Sequence, residues 1–444
     1  MRTADDFPGC CDNTRPVIDE FIAHTKKSVV ENSTHVHSND SQTLRHGFAW
    51  QATLASGFHA IADWIARLEK ANACGELELA VAHRACGGIV QQLLYGVEMS
   101  QLEVFRVSHH SAEWQRLSQC EPLFVSDHTT LLNDVFKHNL ADNSCHTNIG
   151  LNEALTQVAQ QFQTFSDKQI APYAQQWHLD NALIPDDLVQ QLGELGVFGL
   201  TIDERFGGSG FGKLAMCVVT EELSRGYIGV GSLSTRSEIA AELIQLSGTT
   251  EQKQQYLPLI ASGQCLPSAV FTEPDTGSDL AALRCRATRD QFGNWQITGN
   301  KTWITHAARS DLMTLLVRTD ADKPGYDGLS MLLIDKQRGS DSHPFPDHGI
   351  SGTEIEVLGY RGMREYDIAF DHFQAPEGCV LGNTEGRGFK QLMTTFEAAR
   401  IQTAARAVGV ARSAFEQALK YSRERRQFGT PIQSYQRIYD KLIR

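Results

Sequence analysis

The sequence predicts an α+β protein: an N-terminal helical extension, a helical domain, a β-barrel-like middle domain and the start of a C-terminal helical bundle. Three observations carry that prediction. Apolar residues recur at helical spacing in two stretches before residue 268, the period shortens to that of strands over 269–381, and a long helical pattern returns after Gly382.

Residues 1–150 form the extension. The first 45 are polar and rich in Ser, Thr, Asn and His, which predicts a loose lead. Phe58, Ile61, Trp64, Ile65 and Leu68 then step along one helix face, and Val81, Ala85, Ile89 and Leu93 along another. Residues 139–150 (NLADNSCHTNIG) read as a linker. The helical domain, 151–268, holds the Gly-punctuated segment Leu192–Leu200, the loop FGGSGFG at 206–212, helix signals at Glu221–Leu223 and Ser237–Leu246, and capping-box spacing at Thr249 and Gln252.

The middle domain, 269–381, carries WQITGNKTWIT at 295–305, which reads as two short strands joined by a Gly299-Asn300 turn. Residues 312–318, 329–335 and 366–370 are further strand candidates. In 382–444, Ala404, Val408, Ala411, Phe415 and Ala418 step 4-3-4-3, the seam of a bundle helix. Phe428-Gly429 and Pro431 stop that helix. The chain reaches Arg444 inside a further helix, and one long helix with a fragment cannot bury a bundle core. A truncated bundle is expected.

Composition excludes several classes. The chain has 444 residues, with 53 Asp+Glu against 40 Lys+Arg; a net charge of −13 repels phosphate backbones, so no nucleic-acid partner is expected. No apolar run approaches the ~18 residues of a membrane span, and the acidic start lacks the apolar core of a secretory or transit signal. Ten scattered Cys without a CxxC pattern fit reduced cytoplasmic thiols better than disulfides or zinc. His35/His37 and His109/His110 lack ligand companions, so no metal site is predicted, and neither GxSxG nor HExxH occurs.

Two motifs point to a cofactor. The loop at 206–212 fails the dinucleotide fingerprint, because the third glycine would fall at Lys213. FTEPDTGSD at 271–279 is more informative: Thr272, Thr276 and Ser278 offer hydroxyls, and Gly277 lets backbone N–H groups approach an anion. By itself it reads equally well as a capped surface turn. About thirty residues on, Trp303-Ile304-Thr305 can return an aromatic face and a hydroxyl to the same place.

The order of LGVFGLTIDERFGGSG, FTEPDTGSD, GNKTWIT, LGYRGMREYDIAFDHFQAP and ERRQFG resembles the acyl-CoA dehydrogenase family of flavoproteins over residues 151–444. Within it, CGELELAVAHRACGGIVQQLLYGVEMSQLEV, TRSEIAAELI, ITGNKTWITHAAR and FEAARIQTAARAVG resemble the branch with an added N-terminal helical segment, which acts on (2S)-methylsuccinyl-CoA. The resemblance implies FAD, with the backbone at Phe271 and Thr272 on the flavin pyrimidine edge. Gly277 and Ser278 would face the pyrophosphate, Trp303 would flank the isoalloxazine, and Thr305 would lie at its N5/O4 edge. Arg425 and Gln427 would reach the FAD of a neighbouring subunit in a homodimer or homotetramer; Arg425 alone reads equally as a cation complementing a helix C-terminus. Glu397 and Arg400 would contact the pantetheine, and otherwise read as an i,i+3 surface pair. Thr235 and Arg236 would line the acyl pocket, with Arg236 holding a substrate carboxylate; the competing reading pairs Arg236 with Glu238 or Glu242.

The activity implied is α,β-dehydrogenation of a short branched or dicarboxylic acyl-CoA, (2S)-methylsuccinyl-CoA to mesaconyl-CoA, with electron transfer flavoprotein as acceptor. No catalytic base is assigned. In most of the family it is a Glu late in the C-terminal bundle; the alternative position, before Arg400, is Ala399, and Glu397 lies roughly 200° around the helix from there. The 444-residue chain by itself is therefore expected to be inactive. The other readings are a short- or branched-chain acyl-CoA dehydrogenase or oxidase, and a non-catalytic acyl-CoA-binding remnant.

Overall fold

A computed structural model describes residues 6–32, 39–106, 111–125, 134–139 and 147–443. His35, His37, His109 and His110, and linker positions 140–146, lie outside the described residues. The chain divides into two units, Met1–Asn152 with Ser434–Arg444, and Glu153–Gln433. Among the described residues, no helix is long and apolar enough to cross a membrane.

In the first unit the polar lead is not loose where it is described. Phe7–Asn32 is a 26-residue helix, α1, followed by α2 (Asn39–Lys70) and α3 (Glu76–Tyr95). Phe7, Cys11, Thr14, Ile18, Phe21, Thr25 and Val29 of α1 are buried at near-heptad spacing. The pattern escapes an apolar count because two of its seven positions are Thr. Thr14 donates to the Cys10 carbonyl at 2.8 Å and Thr25 to the Phe21 carbonyl at 3.0 Å, so each hydroxyl is satisfied one turn back and its methyl packs. In α2, Phe58, Ile65 and Leu68 are buried as their spacing requires; in α3 the buried face is Ala82, Cys86, Ile89, Val90 and Leu93.

The second unit carries the functional argument. Helices α4 (Glu153–Phe165), α5 (Ala171–Leu179) and α6 (Asp186–Glu194) lead into the 206–212 loop. That loop connects helices: a Cβ on Gly208 would stand 2.1 Å from the Ile202 carbonyl oxygen, so only glycine lets the chain double back there. Next come α7 (Gly212–Gly226), α8 (Ile228–Ser247) and α9 (Thr250–Ala261), the last opened by the Thr249/Gln252 capping box.

A seven-stranded mixed sheet follows: β1 (Pro267–Val270), β2 (Arg286–Arg289), β3 (Trp295–Thr305), β4 (Leu312–Arg318), β5 (Leu329–Asp335), β6 (Ile350–Ile355) and β7 (Glu365–Ala375). Its order is β1-β4-β2-β3-β7-β6, with β5 along the other edge of β4, so the pairings leave it open. The strands expected at 312–318 and 329–335 are present at those bounds. WQITGNKTWIT is not a hairpin but one 11-residue strand, with β2 on one side and β7 on the other. Gly299-Asn300 mimics a turn signal because Gly299 has φ +144° and passes the Cys285 backbone where a Cβ would stand 2.6 Å away. The register with β7 shifts there and again between Lys301 and Ile304, so both irregularities are bulges.

The unit ends in α10 (Gly388–Glu424), whose buried face is not the expected seam. Ala404, Val408, Ala411 and Ala418 are exposed, whereas Gln402, Ala405, Gly409, Leu419 and Ser422 are buried. α7 explains this, because it presents Glu221, Glu222 and Arg225 to α10. Arg412 donates to Glu221 and Glu222 at 2.6 and 2.7 Å, and Gln402 donates to Thr220 and Ser234 at 3.2 and 3.1 Å. The buried face is mostly small and apolar, and Gln402 within it is satisfied by Thr220 and Ser234.

Candidate functional site

The two cofactor motifs meet through a buried ion pair. Lys301 Nζ is fully enclosed and donates to the Phe271 carbonyl at 2.9 Å, Glu273 Oε1 at 3.0 Å and the Leu316 carbonyl at 2.8 Å. Glu273 also accepts from the Arg284 and Cys285 amides at 2.8 and 2.9 Å. Burial pulls the Lys301 ammonium below its usual range, opposed by Cys285 and Glu273. The Thr302 amide donates to the Thr272 carbonyl at 2.9 Å, so 271–273 and 301–302 run side by side. Phe271 also meets Phe396 of α10 edge-on, with ring centroids 6.0 Å apart.

Beyond Lys301 the strand bulges. Trp303 adopts φ +58° and leaves its side chain 56% exposed, an unusual conformation for an aromatic residue in a strand. Thr305 is buried: its Oγ1 donates to Glu365 Oε2 at 2.8 Å and accepts from Arg236 Nη2 at 2.7 Å. Among the described residues no carboxylate pairs directly with Arg236, since Glu238 accepts from Thr201 and Glu242 pairs with Lys213 at 3.0 Å. The competing pairing of Arg236 with Glu238 or Glu242 is not formed. Burial pushes Glu365 up to about 7, against the pull of Thr305 and Arg236. His306 is held down to about 3 by burial and by Arg338, Arg236 and Lys336.

The other expected site residues spread over this unit. Ser278 and Gly277 are exposed on the turn closed by the Glu273 and Thr276 backbones, and a Cβ at Gly277 would meet only Thr272 Cγ2 at 3.6 Å. The glycine is not demanded by this turn; it leaves an open backbone face. Thr235 is buried on α8, and among the described residues its Oγ1 has no hydrogen-bond partner. Glu397 and Arg400 are both exposed on α10, and the i,i+3 pair expected as an alternative is not formed. Arg425 caps the C-terminus of α10, and Gln427 lies in the exposed hairpin after it. At ~1.5 Å per residue they stand about 44 Å along the helix from Phe396, so one chain does not bring them to Trp303.

Lys301, Glu273 and Glu365 lie inside the quoted motifs, yet the sequence reading singled out none of them. Lys301 had a signal: on β3 it falls in the inward phase of Trp295 and Ile297, where a cation requires a carboxylate. Glu238 on α8, also buried, is like Glu365 pushed up to about 7 chiefly by burial. The folded chain thus holds that proton more tightly than the unfolded one. Its stabilising effect is complete below about pH 4.5 and is lost as pH rises through about 7, a difference of about 3 kcal/mol. Glu238→Gln is expected to flatten that slope and raise stability at pH 8 by up to about 3 kcal/mol. Urea unfolding at pH 5 and pH 8 measures it; an unchanged slope would show that Glu238 titrates normally.

Comparison with known proteins matches this architecture. Family profiles described as acyl-CoA dehydrogenase N-terminal, middle and C-terminal domains match residues 152–264, 268–373 and 386–444. The chain is 49% identical over 412 residues to a (2S)-methylsuccinyl-CoA dehydrogenase of Cereibacter sphaeroides, covering 91% of this chain and 74% of that protein. A glutaryl-CoA dehydrogenase structure solved as a glutaryl-CoA complex superposes with a TM-score of 0.62 at 31% identity, covering 67% of this chain and 73% of that one. The butyryl-CoA dehydrogenase of Megasphaera elsdenii superposes with a TM-score of 0.61 at 28% identity, covering 67% and 76%. With its helical domain, open sheet and long closing helix each matched in order, this chain belongs to the acyl-CoA dehydrogenase family, whose members are flavoprotein oxidoreductases.

Proposed function

We propose that the chain binds FAD and serves the α,β-dehydrogenation of an acyl-CoA bearing a carboxylate on its acyl group, (2S)-methylsuccinyl-CoA to mesaconyl-CoA. The observation that carries this reading is Arg236, a guanidinium that donates to Thr305 and, among the described residues, pairs directly with no carboxylate. An Arg in that state suits a substrate carboxylate that would otherwise enter an apolar pocket unpaired. The identity to a methylsuccinyl-CoA dehydrogenase supports the same choice.

The residues fit a flavin. An exposed indole, an open backbone face at Gly277, an exposed Ser278 and the Phe271–Thr272 strand edge lie on segments that Lys301 ties together. Trp303, Thr305, Phe271, Thr272, Gly277 and Ser278 would hold it, and the group supplies an acceptor for the hydride leaving the β-carbon. Arg236 fixes the substrate carboxylate, Trp303 excludes water from one side, and Thr305 offers a hydroxyl. No residue of this chain is assigned as the base that takes the α-proton. Arg425 and Gln427, at the far end of α10, would serve the site of a second copy in a homodimer or homotetramer, and electron transfer flavoprotein is the proposed acceptor.

Titrating the purified chain with FAD, and with FMN as control, tests the cofactor reading. FAD is expected to bind and to quench tryptophan emission, and Trp303→Phe is expected to remove part of that quenching. Equal binding of FMN, or quenching indifferent to Trp303→Phe, sinks it.

A further inference from the structure

We propose that Glu365 is a positioning residue that sets which way the Thr305 hydroxyl points. Ionised, it captures the hydroxyl hydrogen; protonated, it releases that hydrogen toward whatever lies against Trp303. The inference rests on the flavin reading above.

The geometry leaves little choice. A threonine hydroxyl has one hydrogen and two acceptor lone pairs. Thr305 spends its hydrogen on Glu365 Oε2 at 2.8 Å and accepts from Arg236 Nη2 at 2.7 Å. A guanidinium cannot accept, so Glu365 is the one member of this trio that can change role. When it takes a proton from solvent, its carboxyl gains an O–H that can donate to Thr305, and the threonine hydrogen is free to turn. No bond other than this O–H forms or breaks.

The charges facing Glu365 are few. Arg236 approaches from α8 and Thr305 from β3, while the cross-strand partner on β6 is the apolar Ile355. Arg364, the preceding residue, is engaged with Asp341 at 3.4 Å and Glu354 at 3.5 Å. His306, following Thr305, stays neutral above about pH 3 and so does not titrate near neutrality. Burial of Glu365 places its own transition at about 7.

The test measures FAD affinity of the 444-residue chain at pH 6 and pH 8, for the unmodified chain and for Glu365→Gln, Thr305→Val and Thr305→Ser. A released hydroxyl hydrogen donates to the flavin edge, so FAD is expected to bind about 3- to 10-fold more tightly at pH 6 than at pH 8. Glu365→Gln and Thr305→Val are each expected to abolish the step, and Thr305→Ser to keep it. A role confined to the fold would weaken binding equally at both pH values and leave the step in place, which overturns the proposal. FAD binding with no step in the unmodified chain overturns it too. Absence of FAD binding at either pH overturns the flavin reading and this inference together.

Discussion

Replacing Arg236 with Met is expected to weaken binding of (2S)-methylsuccinyl-CoA to the FAD-loaded chain by about 2–5 kcal/mol, as when one partner of a buried charged pair is removed. The donors of Arg236 reach Thr305 and no carboxylate among the described residues, so the guanidinium enters the complex with hydrogens to give. Met keeps most of the side-chain volume and removes the charge, leaving the substrate carboxylate to be desolvated without compensation. An uncharged analogue, 2-methylbutyryl-CoA, is expected to lose much less. Calorimetric titration with both thioesters reads the difference directly. Equal losses on both would make Arg236 a support for Thr305 alone, and the dicarboxylic assignment would lose its physical basis.

Lys301→Met is expected to destabilise the Glu153–Gln433 unit by about 3–5 kcal/mol, the cost of leaving one member of a buried ion pair behind. The Phe271 and Leu316 carbonyls lose a donor, and among the described residues the Glu273 carboxylate keeps the Arg284 and Cys285 amides. Changing Glu273 to Gln in the same chain removes the stranded charge and is expected to recover part of the loss. Because the chain holds two units, unfolding is best followed by the emission of Trp295, which is buried in this unit's sheet. A loss below about 1 kcal/mol in the single variant would mean that water reaches the pair and that the motifs are held together by the β3 backbone alone.

Where the sequence was legible, local chemistry and topology agreed. The Thr249/Gln252 box starts a helix because both its hydrogen bonds are made within four residues. Strands at 312–318 and 329–335 are mostly apolar and buried on both faces up to their last residue, so they need no distant information to be read. Trp303 and Thr305 could be singled out because WIT follows FTEPDTGSD by about thirty residues in a motif order that resembles the acyl-CoA dehydrogenase family.

Elsewhere the deciding partner was far away in the chain. The helix at Phe7–Asn32 was hidden because Thr14 and Thr25 count as polar until their hydroxyls are seen bonded one turn back. Gly299-Asn300 spells a turn, and only the close Cys285 backbone makes it a bulge. Composition and motif order thus determined the family and the succession of its domains. Tertiary structure alone decided that α10 buries Gln402 against Thr220 and Ser234, that Lys301 clasps Glu273, and that Arg236, Thr305 and Glu365 share one hydroxyl. The physical reason is that a charged or polar side chain carries no label for burial: its place is set by which complementary group, 28 to 191 residues away here, the fold brings within hydrogen-bonding distance.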